Sequence, residues 1–255
     1  MKQTILIGLA SLVLLGSGCA WRSAFQPLPE IEYYSEARAI LPEEESYYID
    51  PIDSAVVWSL EGVQIKVKFY NDQMLNAQYN PKVSPYTLHP WKDPLLGYTP
   101  PLWTVFEVTV INRTRERVEL DPTQVFLRLD NGNYFYCRQG VGWWWDPAHY
   151  FDYSYVKWGS RDGDVQYYAN FDRNEIWNRS EYAREKPVVK GNKYIGKLTF
   201  PRLPTDTKTV TLEINKFIMA FDRFAVGYGN PTELTDLKFH FEISQGTREV
   251  AKPEK

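Results

Sequence analysis

A chain of 255 residues with 29 basic against 32 acidic side chains carries a formal charge of −3. That balance supplies no cationic surface for phosphate contacts and argues against a nucleic-acid partner. Cysteine use is spare, with two in all, which allows at most one disulfide.

At the N-terminus, Met1-Lys2 supplies one positive charge, residues 5–15 form an apolar run, and Gly16-Ser17-Gly18-Cys19 closes it. The run is too short for a membrane-spanning helix, which needs about 20 apolar residues. It has the layout of a secretory signal with small residues at the cleavage site. These residues resemble the signal of bacterial lipoproteins, in which the cysteine is acylated and becomes the mature N-terminus. The resemblance implies a leader of residues 1–18 and a lipid on Cys19. Because Ala20 rather than Asp follows the cysteine, it also implies an outer-membrane destination. It departs from the usual pattern at Gly16, where the family has Leu; Leu15 stands one position further back. The alternative is an ordinary cleaved signal with an incidental cysteine. Cys137, the remaining thiol, follows Tyr134-Phe135-Tyr136 and reads as a small packed side chain.

Residues 19–54 hold four prolines and the acidic run Glu43-Glu44-Glu45, a composition suited to an extended tether. Residues 30–40 suit a short helix, and the pairs Tyr33-Tyr34 and Tyr47-Tyr48 point to parts of this arm lying against the domain. The domain itself is expected over residues 55–245. Val63, Ile65, Val67 and Phe69 alternate with Gln64, Lys66 and Lys68, a half-buried strand whose lysine face meets water. Residues 71–101 follow, with six prolines and Tyr79, Tyr86, Trp91 and Tyr98. So long a connection is a functional loop, a packed cover or a flexible one, and its aromatics favour packing. His89 within it has no acid or metal partner nearby in sequence and reads as structural.

Residues 102–136 show the clearest pattern. Phe106, Val108 and Val110 alternate with Glu107, Thr109 and Ile111; Val118 and Leu120 resume after a polar turn, and Val125, Leu127 and Leu129 follow Asp121-Pro122. Asp130-Asn131-Gly132 is a hairpin signal. Period-2 alternation marks antiparallel sheet with one wet face. Three further strands are expected around Tyr194–Phe200, Val210–Ile214 and Leu237–Ile243, with a packed loop over 217–236 and a frayed tail over 246–255. His240 falls on the wet side of the last strand. Seven or eight short strands separated by turn signals predict an all-β antiparallel β-sandwich.

The run TVFEVTVINRT followed by VELDPTQVFLRLDNGNYF resembles immunoglobulin-like domains of uncharacterised bacterial surface and periplasmic proteins, through Asn112, Leu120, Pro122, Phe126, Leu127 and Gly132. The resemblance implies a single immunoglobulin-like β-sandwich, here with long insertions at 71–101 and 138–192. It carries no catalytic residue.

In the second insertion thirteen of fifty-five residues are aromatic. Asp172-Arg173-Asn174-Glu175 resembles a capping box opening a short helix over 172–184. Two readings stand for the aromatics. Either they bury one another over a sheet edge, or several stay exposed as a contact surface, with Trp143, Trp144, Trp145, Tyr150, Tyr153 and Trp158 as the candidates. No GxSxG elbow, HExxH pair or CxxC spacing is present, and no cofactor or metal is expected. Asp162-Gly163-Asp164 reads as a turn. The sequence therefore points to a lipid-anchored envelope protein acting as a non-catalytic binding or scaffolding module for another envelope protein. The alternatives are glycan or peptidoglycan binding by the aromatic insertion and, least favoured, a hydrolase centred on His149 with Asp146 and Asp152.

Overall fold

The computed structural model describes residues 29–139 (except 82, 91 and 94), 163–222 and 229–250; for 163–171 it defines the backbone. The described residues fall into two units, Glu32–Arg248 and a second that holds residues 29–31 with 249 and 250. In the second unit the Val250 N–H donates to the Glu30 carbonyl over 2.8 Å.

In chain order the strands are β1 (Ile31–Ile40), β2 (Tyr47–Ile49), β3 (Val56–Leu60), β4 (Val63–Tyr70), β5 (Trp103–Asn112), β6 (Arg117–Val118), β7 (Val125–Leu129), β8 (Tyr134–Tyr136), β9 (Val188–Val189), β10 (Lys193–Pro201), β11 (Thr209–Phe221) and β12 (Pro231–Glu249). Among the described residues two helices join them, α1 (Asp72–Gln78) and α2 (Gly163–Ser180). The first sheet runs β1-β12-β11-β7-β8 and the second β10-β5-β4-β3-β2, with β6 and β9 forming a short ribbon. The fold is an all-β antiparallel sandwich.

Alternation builds the core. Ile65, Val67, Phe106, Val108 and Leu198 of the second sheet are fully buried, as are Leu127, Leu212 and Phe239 of the first. Rings interlock between the sheets: Trp58 meets Phe217 edge-on at 6.4 Å, Tyr47 meets Phe239 at 5.6 Å, and Phe106 lies 5.2 Å from Phe241. Edge-to-face packing favours the positive ring edge against the negative face.

The motif residues have local tasks. The buried Asn112 side chain donates to the carbonyls of Arg115 (2.9 Å) and Val188 (2.8 Å) and accepts from the Arg115 N–H, tying the turn after β5 to β9. The Asp121 carboxylate caps a 3-10 turn at Pro122–Gln124, and Gly132 takes φ 83° in the β7–β8 hairpin.

Four expectations are corrected. The helix expected over 30–40 is instead strand β1 from Ile31 to Ile40, because its side chains gain partners on β12: Tyr33 Oη donates to Gln245 Oε1 over 2.7 Å, and Arg248 pairs with Glu32 and lies 5.5 Å from the Tyr34 ring centroid. The expected tether thus gives way to sheet from Ile31 onward. Residues 246–249, expected in a frayed tail over 246–255, continue β12 for the same reason, and residues 251–255 lie outside the described residues. The loop over 217–236 is largely strand, since β11 runs to Phe221 and β12 starts at Pro231, with register shifts absorbing its irregular pattern. The helix expected over 172–184 starts earlier, at Gly163, and ends at Ser180, where residues 181–182 turn to meet β10.

Candidate functional site

On the second sheet, β4, β5 and β10 present Tyr70, Trp103, Val105, Glu107 and Lys197 away from the sandwich core. The register aligns Lys68, Glu107 and Lys197 in one row across the three strands. At the start of β5 both faces are buried, from Trp103 to Phe106, and alternation resumes only beyond Glu107. That change marks where a roof covers the sheet.

The roof is built from both insertions. Leu75 of α1 and Tyr79 and Tyr86 of the proline-rich loop come from the first, and Ile176 and Trp177 of α2 from the second. Asn71 caps α1 by accepting from the Met74 N–H at 2.9 Å. Tyr86 stacks on Trp177 at 5.2 Å, Trp103 meets Trp177 edge-on at 6.3 Å, and Tyr79 leans on Tyr86 at 5.5 Å. The polar tips are satisfied: Tyr86 Oη and Ser180 Oγ share a 2.6 Å hydrogen bond, and Trp103 Nε1 donates to the Pro85 carbonyl at 3.2 Å.

Beneath this roof lies an ion pair. Lys197 Nζ is 2.9 Å from Glu107 Oε2, with the lysine side chain 2% exposed and the glutamate 22%. Tyr70 Oη donates to Glu107 Oε1 at 3.2 Å, and the ammonium lies 4.2 Å from the Tyr70 ring centroid and 5.6 Å from that of Tyr79. Burial lowers the Lys197 pKa, against the opposing pull of Glu107, while burial and then Glu107 push Tyr70 up. The ammonium is fully engaged by one carboxylate and two ring faces. Chemically the arrangement is a closed pin that meets the first insertion at Tyr79.

A second cluster ties the first insertion to β1. Tyr98 stacks on Tyr33 at 6.1 Å. Nearby Asp72, in the first turn of α1, is partly buried, and burial raises its carboxyl pKa to about 7. Burial, then the Asp72 charge, raises Tyr33 to about 12.

Among the sequence-derived candidates, Trp143, Trp144, Trp145, Tyr150, Tyr153 and Trp158 lie outside the described residues, as do Cys19 and His149. For the described part of the second insertion the packing reading holds, since Trp177 and Tyr182 are buried. The lysine face of β4 is less free than expected, because Lys66 pairs with Asp50 at 2.6 Å and Asp53 at 2.8 Å. His89 is exposed, and half-buried His240 bonds through Nδ1 to Thr211 Oγ1 at 2.9 Å. Cys137 is buried as expected, which pushes its thiol up to about 12. Among the described residues no group of three or more His, Cys, Asp or Glu could hold a metal, and no helix is long and apolar enough to cross a membrane.

Sequence reasoning missed Lys197, Glu107, Tyr70 and Asp72 as a set. Glu107 and Lys197 occupy outward positions of alternating strands, but their encounter depends on the β5–β10 register across 90 residues of chain. No family model, curated protein or solved structure matches this chain.

Proposed function

We propose that this protein is a lipid-anchored component of the bacterial cell envelope, acylated on Cys19 and held at the outer membrane facing the periplasm. Its sandwich, read as immunoglobulin-like, acts as a non-catalytic binding or scaffolding module for another envelope protein. The observation that carries the reading is how soon regular structure follows the acylation signal. Strand β1 begins at Ile31, 31 − 19 = 12 residues after Cys19. Twelve extended residues at about 3.3–3.6 Å each reach about 40 Å, so a lipid there keeps the first strand within that distance of the bilayer.

The contact surface proposed is Trp143, Trp144, Trp145, Tyr150, Tyr153 and Trp158, whose rings offer large apolar area with polar tips. Site-specific photo-crosslinking in cells from positions 144 and 150 tests this. A discrete adduct with one envelope protein is expected. No adduct from either position, together with collapse of thermal stability on deleting the segment, would assign those aromatics to packing instead.

A further inference from the structure

The outer face of the first sheet carries exposed rings at Tyr134 and Tyr136. The strand registers align side chains into two rows across four strands. One runs Tyr136, Phe126, Glu213, Lys238; the other runs Tyr134, Arg128, Thr211, His240. Three inter-strand steps of about 4.8 Å make each row about 14 Å long. Phe135 points the other way and packs against the sandwich core, which fixes Tyr134 and Tyr136 outward.

The aromatic end is open and braced. Tyr136 is 71% exposed and Tyr134 45%. Phe126 supports Tyr136 edge-on at 5.3 Å, and the Arg128 guanidinium covers one side of the Tyr134 ring at 4.9 Å. Strand β8 ends its sheet. The polar end is pre-arranged: Arg128 pairs with Glu213 at 2.6 Å, and Thr211 holds His240 at 2.9 Å. Burial, then Lys238, lowers the His240 pKa below the ordinary imidazole value. At the far edge Arg38 pairs with Glu242.

We propose that this face is a binding platform for an uncharged hexopyranose glycan chain. Exposed rings offer flat apolar surfaces to the C–H faces of sugar rings, and the adjoining fixed donors and acceptors suit hydroxyl groups. Charge complementarity favours an uncharged ligand, because Arg128 with Glu213 and Arg38 with Glu242 neutralise one another in pairs and leave the exposed Lys238 as the single unpaired charge of the two rows. A polyanion or polycation would have to break those pairs. The platform is independent of the protein-partner reading above.

The test titrates the full chain, in detergent, with chitohexaose, cellohexaose and maltohexaose by calorimetry. Saturable binding of at least one is expected, weakened about tenfold or more by Tyr136→Ala. Tyr136→Phe, which keeps the ring, should bind as the unaltered chain does, and so should Trp144→Ala. Tyr136 is exposed, so equal melting temperatures will confirm that Tyr136→Ala is folded. Failure of all three sugars to bind would overturn the proposal. So would binding that survives Tyr136→Ala but is lost on Trp144→Ala, which would move the site to the tryptophan-rich segment.

Discussion

Replacing Lys197 by Met removes the charge beneath the aromatic roof while keeping much of the side-chain volume. Glu107 is then left with Tyr70 as its hydrogen-bond donor and half-buried Lys68 as its cross-strand neighbour. Breaking a buried pair from one side costs about 3–5 kcal/mol, because the remaining charge keeps its desolvation without its partner. Glu107 is 22% exposed, so the low end, about 3 kcal/mol, is the expectation here. For a domain of this size that corresponds to a loss of roughly 6–12 °C in melting temperature. Replacing both partners, Glu107→Leu with Lys197→Met, removes the unpaired charge as well, and such replacements are often neutral or stabilising by about 1–4 kcal/mol. Urea unfolding followed by tryptophan fluorescence on the two single variants and the double completes the cycle. The reasoning predicts a double variant at least as stable as Lys197→Met by about 2 kcal/mol. It is refuted if Lys197→Met costs under about 1 kcal/mol, or if the two single losses simply add.

Other predictions rest on separate features. Asp72 titrates near 7 in the folded chain against 3.8 for the free carboxyl, so the folded state holds a proton that the unfolded state releases, and stability falls as pH rises between those values. The shift corresponds to at most about 4 kcal/mol, and the helix N-terminus returns about 0.3–1 of it. Asp72→Asn should therefore stabilise the chain at pH 8 and flatten its pH profile; urea midpoints at pH 5 and pH 8 that leave the slope unchanged would count against this. The Tyr182 hydroxyl is buried with no hydrogen-bond partner, so Tyr182→Phe should raise stability by about 1 kcal/mol, measured by thermal unfolding. Beside it, a Cβ on Gly196 would stand 2.5 Å from Tyr182 Cα, and Gly196→Ala should cost about 1–3 kcal/mol or more. Cys137 should resist a thiol reagent at pH 8 until the chain unfolds, and prompt labelling of the native protein would show its burial to be wrong.

The inward faces were legible in the sequence because burial enforces a period of two. Val63 to Phe69 and Phe106 to Val110 alternate on paper as they do in space. Strand β1 was hidden for a physical reason. Its segment has no clean alternation, and it is strand because β12 offers Gln245, Glu242 and Arg248 as partners some 200 residues away. The aromatic roof was half legible. Tyr79 and Tyr86 marked a loop that packs, but its site on the sheet follows from Trp103 and Trp177, which no local pattern links to them. The Asn112 and Pro122 motif positions proved to be turn and cap devices. The outer rows of the first sheet needed three strand registers at once. Tyr134 and Tyr136 were visible as residues, but Glu213 and His240 as their neighbours were not.

Intact-mass and tandem mass spectrometry of the protein extracted from the membrane fraction of its own cells tests the central claim most directly. The account predicts a mature chain beginning at Cys19, heavier than its amino-acid sequence by a diacylglyceryl group with or without an added acyl chain. A mature chain that begins after Cys19, or one that retains Met1 with Cys19 unmodified, would contradict it.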